Sequence, residues 1–195
     1  MSFHDIQQIN NNAQNESAAR YPALQEAIEN YIVNIREEYG NMNAKQARDT
    51  LLSEYNYQMR SHLKSSRSFG LNIEAGDICY IDYGRAYISE IGYQHFGLVL
   101  KVFCGKAFVL PMTSNENNYS LAYDPVSNPD GLRHLMRLGK VEGLYRYSVL
   151  FLNDGKFINT ARIIDIKGHI DPQGELFERI RNRFISCMES RAIEI

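Results

Sequence analysis

The sequence predicts an α+β protein, mainly β, in which a helical hairpin precedes a small antiparallel β-barrel and a further helix closes the chain. Three observations support this class. Two early segments repeat apolar residues at helical spacing, short apolar strands then follow one another from residue 76, and the last segment is again amphipathic. Strands this close, without helices between them, favour a curled antiparallel sheet over a parallel α/β sheet.

The helical hairpin is predicted from two periodic segments. The first runs from Ala18 to Gly40, a residue type that commonly ends helices. The second begins at Asn43, whose side chain can cap a helix, and keeps a four-residue step as far as Leu63. Residues 1 to about 16 are rich in Asn and Gln and are predicted to be disordered or loosely helical. We therefore predict a helical extension over residues 1–69 and a barrel domain over residues 70–195.

The barrel is predicted from alternating or apolar runs bounded by turn residues. The predicted strands are 76–84, 96–103, 106–112, 133–138, 147–152 and around 156–166. The segment 117–131 holds two prolines with many Asn and Asp residues, so a long loop is expected there. After Pro172, apolar residues return at helical spacing and predict the C-terminal helix.

Composition limits the classes of function. The net charge is −2, so any nucleic-acid binding requires a local basic patch. Cys79, Cys104 and Cys187 are widely spaced, which indicates neither a disulfide framework nor a zinc site. The sequence has no apolar run of membrane-spanning length and no export signal. We expect a cytoplasmic protein with no metal, no cofactor and no membrane partner.

Four motifs in order resemble one known family. They are GDICYIDYG from Gly76, IGYQHFGLVL from Ile91, FVLPMTS from Phe108 and YSVLFLNDGKFINTARI from Tyr147. Together they resemble the MazF/PemK family of toxin endoribonucleases over about 120 residues. In the second motif the chain is closer to some larger members of the family, which carry a histidine there, and it resembles a larger variant with an N-terminal helical extension.

The resemblance implies a small SH3-like barrel of the MazF/PemK/CcdB type. It also implies a homodimer that cleaves single-stranded RNA without metal. In that reaction the ribose 2′-OH attacks the adjacent phosphate and leaves a 2′,3′-cyclic phosphate and a 5′-OH. Such toxins belong to toxin-antitoxin systems, so a cognate antitoxin protein is expected as a partner.

Three residues are carried over from the family as catalytic candidates. His95 stands where most members have an arginine, and an imidazole can take or give a proton near neutral pH whereas arginine cannot. Thr113 matches the catalytic Ser/Thr position, and Lys156 matches a later arginine. The alternatives are a hydrogen-bonded histidine at a strand start, a hydroxyl that ends a strand, and a solvated lysine in a turn.

Substrate-binding candidates lie around the same motifs. Aromatic side chains can stack on the bases of a single strand, and cationic or polar ones can hold its phosphates. The candidates are Arg85, Tyr87, Tyr93, Gln94 and Ser114. The alternatives are solvated charges and a tyrosine-rich packing surface.

A different class of function stays open beside the nuclease. Toxins of the CcdB type act on a protein partner through the same fold, and a fold alone does not decide function. The missing family arginine keeps this alternative open. The competing hypothesis is a non-catalytic toxin or binding protein that acts on a protein partner.

Overall fold

The computed structural model describes Ile6 and residues 16–189. The chain divides into two compact units, Met1–Arg48 and Asp49–Ile195. The predicted division between residues 69 and 70 stays a prediction. The predicted disorder of residues 1 to about 16 falls almost entirely outside the described residues.

The two predicted N-terminal helices are confirmed. Helix α1 spans Pro22–Asn41 and begins with a proline, which suits the first helical position. Helix α2 spans Ala44–Arg60. The Asn43 side chain accepts the N–H of Gln46 at 2.9 Å, and the Gln46 side chain accepts the N–H of Asn43 at 3.1 Å. This reciprocal pair confirms Asn43 as the cap of α2.

The described residues hold eight strands and two later helices. The strands are β1 (Asp77–Asp82), β2 (Gln94–Phe103), β3 (Lys106–Thr113), β4 (Ala122–Tyr123), β5 (Leu132–Gly139), β6 (Ser148–Phe151), β7 (Lys156–Asn159) and β8 (Ile163–His169). The helices are α3 (Glu116–Leu121) and α4 (Glu175–Glu189). The predicted α+β class with a C-terminal helix is confirmed.

Two sequence predictions need correction. The expected loop at 117–131 begins inside α3 and contains β4, because the Asn115 side chain caps α3 by accepting the N–H groups of Asn117 and Asn118. The expected strand around 156–166 is two strands, separated by a 3₁₀ turn at Thr160–Arg162. The Asn159 side chain accepts the N–H of Ala161 at 2.8 Å and so starts that turn.

The sheet is curled, as its connections require. Its antiparallel core runs in the order β7, β3, β2, β1, β8. In a flat sheet, β7 and β8 would lie about 19 Å apart. Only Thr160–Arg162 join them, and such a link spans at most about 14 Å. The two outer strands must therefore approach each other, and the sheet forms the predicted barrel.

Apolar side chains fill both faces of this sheet. The interior cluster comes from all five strands: Cys79, Ile81, Val99, Ala107, Val109, Ile158 and Ile163. The outer cluster packs alternate residues of β1 to β3, such as Leu98 and Leu110, against Phe177 and Ile180 of α4. Helix α4 thus covers one outer face of the barrel. Within residues 16–189 and Ile6, no helix is long and apolar enough to cross a membrane.

Candidate active site

His95 lies near the start of β2, at one end of the barrel. It pairs with Ile81 of β1, and Gly97 and Val99 follow it on the same face of the strand. Ile81 and Val99 belong to the interior cluster. His95 therefore extends the interior face to the barrel rim, where its side chain is half-buried.

One ring nitrogen of His95 is held by the backbone. Its Nδ1 lies 2.6 Å from the carbonyl oxygen of Gly92. A carbonyl can only accept a hydrogen bond, so Nδ1 must carry the proton. The neutral ring then has its lone pair on Nε2, which is the form that a general base requires.

Thr113 lies beside His95 on the neighbouring strand. Phe96 of β2 pairs with Met112 of β3, and His95 and Thr113 each lie one residue beyond this pair. In an antiparallel ladder those two positions face each other across the strands and share one side. The Thr113 Oγ1 accepts the N–H of Asn115 at 3.2 Å, which leaves its hydroxyl proton available as a donor.

Tyr83 connects the His95 strand with Lys156. Its hydroxyl lies against Gly97, so close that a Cβ at Gly97 would be 2.3 Å from the oxygen. The Lys156 Nζ lies 5.7 Å from the centre of the Tyr83 ring, a cation-π distance. We call Tyr83, His95, Thr113, Asp154 and Lys156 the barrel mouth.

Asp154 fixes the position of Lys156. Its Oδ1 lies 2.7 Å from the Lys156 Nζ, and its Oδ2 accepts the N–H of Ile91 at 2.7 Å. The two carboxylate oxygens thus join the turn before β7 to the loop before β2. This contact holds the lysine cation in place, and the lysine side chain is 30% exposed.

Tyr83 is a neutral phenol in this environment. Burial, followed by the nearby Asp154 carboxylate, raises the pKa of Tyr83 far above its ordinary range. Among the described residues, its hydroxyl is buried without a hydrogen-bond partner. The side chain is therefore packed between Gly97 and Lys156 and does not titrate near neutral pH.

Three predicted substrate-binding residues contact α2. The Glu54 Oε1 lies 3.2 Å from the Arg85 Nε. The Thr50 hydroxyl donates to the Tyr93 hydroxyl at 3.3 Å. The Gln94 side chain donates to the Ser53 hydroxyl at 2.8 Å. Helix α2 thus lies over this side of the β1–β2 end and contacts all three residues.

A buried aspartate organises the same side. Asp82 is 2% exposed, and its Oδ1 accepts bonds from the Ser53 hydroxyl at 2.7 Å, the Gly84 N–H at 3.0 Å and the Gln94 amide at 3.3 Å. Sequence reasoning missed this network. The sequence did offer a signal for it: Asp82 ends the apolar run DICYID, and a buried carboxylate requires hydrogen-bond partners.

Ser114 and Tyr87 occupy other surfaces. Ser114 lines a cavity of about 700 Å³ together with tyrosine and basic side chains. Its other lining residues are Glu116, Tyr119, Ser120, Lys140, Tyr145, Arg146 and Tyr147, and we call this cavity the tyrosine groove. Tyr87 is exposed on the loop between β1 and β2. Neither Ser114 nor Tyr87 contacts His95 in any described hydrogen bond.

The structure brings some of the predicted site residues together. His95 and Thr113 are neighbours, and Tyr83 links their sheet face to Lys156. Neither Asp154 nor Tyr83 was among the candidate site residues named from the sequence. Within the described part of the chain, no group of three His, Cys, Asp or Glu residues could hold a metal ion.

Comparison with known proteins gives structural likenesses at low identity. No protein-family model matches the sequence, and no curated protein does. MazF from Deinococcus radiodurans aligns at 13% identity and a TM-score of 0.45, over 62% of this chain and 99% of that one. The toxin MazF-mt6 of Mycobacterium tuberculosis aligns at 12% identity and a TM-score of 0.41, over 60% and 99%.

A third solved structure is an endoribonuclease in complex with its cognate antitoxin from a mycobacterial species. It aligns at 10% identity and a TM-score of 0.42, over 62% of this chain and 99% of that one. These likenesses concern the fold. The chain is similar in structure to MazF toxins, whose whole length it covers with about three-fifths of its own.

Proposed function

We propose that this protein is an endoribonuclease toxin that cleaves single-stranded RNA by attack of the ribose 2′-OH, without a metal ion. The observation that carries the proposal is the imidazole of His95. Its Nδ1 is fixed on the Gly92 carbonyl oxygen at 2.6 Å, and it lies on the rim of the barrel beside Thr113. A histidine fixed in this way presents Nε2 as a base to a bound ligand.

The reaction requires one proton transfer to start it. The Nε2 atom of His95 takes the proton of the 2′-OH while the 2′ oxygen forms a bond to phosphorus. The bond from phosphorus to the 5′ oxygen then breaks, and that oxygen takes a proton from solvent. The products are a 2′,3′-cyclic phosphate and a 5′-OH, and no oxidant or cofactor is needed.

Lys156 and Thr113 are proposed to stabilise the transition state. Negative charge grows on the non-bridging oxygens as the pentacoordinate phosphorus forms, and fixed donors aimed at them lower the barrier. The lysine cation is held in place by Asp154, and among the described residues the threonine hydroxyl proton has no acceptor. These side chains come from two strands that both pair with the sheet around His95.

The tyrosine groove supports a single-stranded substrate. Tyr145 is fully exposed and Tyr147 is 61% exposed, while Lys140 and Arg146 add positive charge beside them. Exposed aromatic rings stack on unpaired bases, and neighbouring cations bind the phosphates between them. Because Ser114 also lines this cavity, the groove begins one residue from Thr113.

Partners and location follow from the sequence resemblance alone. We propose a cognate antitoxin that blocks the barrel mouth, a homodimer as the active form, and activity in the cytoplasm. Arg85, Tyr87, Tyr93 and Gln94 are proposed to assist substrate binding. For three of these four, RNA would compete with their contacts to α2.

The test is an RNA cleavage assay in EDTA. The purified full chain is incubated with mixed-sequence single-stranded RNA, and the product ends are identified. We expect a 2′,3′-cyclic phosphate and a 5′-OH. The Lys156→Gln variant should cleave about 10- to 100-fold more slowly. Lys101→Gln, which removes the same charge from an exposed position on β2, should cleave like the parent.

Two results would count against the proposal. Intact RNA with the parent protein would refute the nuclease function and favour a toxin that acts on a protein partner. Products with a 3′-OH or a 5′-phosphate would refute the 2′-OH mechanism, because that mechanism cannot form these ends.

A further inference from the structure

A second cavity, of about 440 Å³, lies at the outer side of the β1 end. It is lined by residues of α2, by the segment 82–85, and by residues around the turn between β7 and β8. Three arginines, Arg60, Arg85 and Arg162, line it. We call it the arginine pocket; of its three arginines, Arg60 and Arg162 have no role in the proposed cleavage reaction.

Arg60 is fixed with part of its guanidinium still free to donate. Its Nη1 donates to the carbonyl oxygens of Ile163 at 2.8 Å and Ala161 at 3.3 Å, and the group lies 4.2 Å above the Phe69 ring. An arginine has five N–H donors. Within the described residues, the Nε and Nη2 of Arg60 have no acceptor.

Arg162 is held in the same way. Its Nη1 donates to the carbonyl oxygens of Tyr83 at 3.2 Å and Asp82 at 3.3 Å. Its Nε and Nη2 also have no acceptor in the part of the chain that the structure describes. Backbone contacts thus orient two guanidinium groups beforehand, which lowers the entropy lost when they bind an anion.

The charges around the arginine pocket favour an anion. Glu54 lies in contact with Arg85, and the Asp82 carboxylate is buried and already accepts three hydrogen bonds. Three positive charges therefore face two negative ones: Glu54 forms an ion pair with Arg85, and Asp82 is hydrogen-bonded to three neutral groups. The lining also includes Asn56, whose side-chain amide makes no hydrogen bond with any described residue.

We propose that the arginine pocket binds a phosphate group through the free donors of Arg60 and Arg162. A planar guanidinium matches two phosphate oxygens with two parallel N–H bonds. The volume exceeds that of one phosphate, so the group can be a free anion or part of a nucleic-acid backbone. The inference does not depend on the proposed nuclease function.

The test is calorimetric titration of the full chain with two probes at low ionic strength. Inorganic pyrophosphate represents a free anion. A single-stranded 2′-O-methyl RNA represents a backbone and has no 2′-OH to attack, so binding is measured whether or not the protein is a nuclease. The key variant is Asn56→Asp, which places a negative charge in the pocket and leaves both arginine anchors intact.

We expect at least one probe to bind the parent, and Asn56→Asp to weaken that binding about tenfold or more. Asn182→Asp, the same change at an exposed position on α4, should bind like the parent. Arg162→Lys keeps the positive charge but loses the paired N–H donors of the guanidinium, so it should also weaken binding of the probe. The probe that binds identifies the source of the phosphate.

The inference is overturned if neither probe binds the parent. It is also overturned if Asn56→Asp and Arg162→Lys both bind with parental affinity. Circular dichroism of each variant verifies that loss of binding is not loss of folding.

Discussion

The hydroxyl oxygen of Tyr83 occupies the space that a side chain at position 97 would fill, 2.3 Å from where a Gly97 Cβ would lie. The same oxygen is buried and has no hydrogen-bond partner among the described residues. Gly97 is therefore required by the close approach of a neighbouring side chain. The contact between Gly97 and Tyr83 sets the position of the Tyr83 ring, which the Lys156 cation faces at a cation-π distance.

Gly97→Ala should destabilise the protein. The new methyl group would contact the Tyr83 oxygen and come within 2.9 Å of the Ile81 Cδ1, and overpacking of this kind costs about 1–3 kcal/mol. Tyr83→Phe removes an unsatisfied hydroxyl and should be neutral or raise the free energy of unfolding by about 1 kcal/mol. In the double variant the alanine should cost less, and urea unfolding of all four proteins measures this coupling. Additive costs would contradict the contact.

Ser53→Ala should weaken the attachment of α2 to the barrel. The substitution removes the 2.7 Å donor to the buried Asp82 carboxylate, a loss of about 1–3 kcal/mol in the free energy of unfolding. Ser68→Ala, at an exposed position, should change it by less than about 0.5 kcal/mol. Urea denaturation compares them, and equal stabilities would refute the structural role of this network.

Cys79 should resist alkylation in the native protein. Burial, followed by the charges of Asp77 and Asp165, raises its pKa to about 12, so little thiolate forms near pH 8. Cys104 is exposed in the turn between β2 and β3. Iodoacetamide followed by peptide mass spectrometry should find Cys104 modified first, with Cys79 reacting only after denaturation. Equal rates for the two thiols would show that the β1 core opens readily.

His134 should make stability depend on mild acid. Burial lowers the pKa of His134 below its ordinary value, so below about pH 6.5 the unfolded chain binds more protons than the folded chain. The free energy of unfolding of the parent should then fall, relative to His134→Gln, as the pH drops below that value, and the two should run in parallel above it. Denaturant titrations from neutral to acidic pH test this. A difference that stays constant across the range would contradict the desolvation of His134.

The strands at the centre of the barrel could be predicted because their residues carry the pattern themselves. The Gly-bounded run at β1 and the apolar runs at β2 and β3 need no distant information. The start of α2 could be predicted from a local signal as well, because Asn43 is a residue type that caps helices. The break between β7 and β8 was missed because one Asn159 side chain, capping a single turn, decides it.

The candidate site could be predicted only in part. His95, Thr113 and Lys156 came from motifs, whereas Tyr83 depends on contacts with residues far along the chain. Its partner Gly97 and the cation at Lys156 lie on two other strands, and no local pattern indicates that they meet. The anchors of Arg60 are carbonyl groups about a hundred residues away, which is why the arginine pocket had no sequence signal.

The most direct test of the proposed mechanism is the RNA cleavage rate of His95→Asn in EDTA. An asparagine amide can still donate to the Gly92 carbonyl from about the position of Nδ1, so the loop stays anchored while the Nε2 base is lost. His62→Asn, at an exposed position after α2, is the matched control.

The mechanism predicts that His95→Asn cleaves about 100-fold or more slowly than the parent, with the melting temperature nearly unchanged, while His62→Asn cleaves at the parental rate. Parental cleavage by His95→Asn would contradict the role of His95 as the base and place the chemistry elsewhere on the barrel.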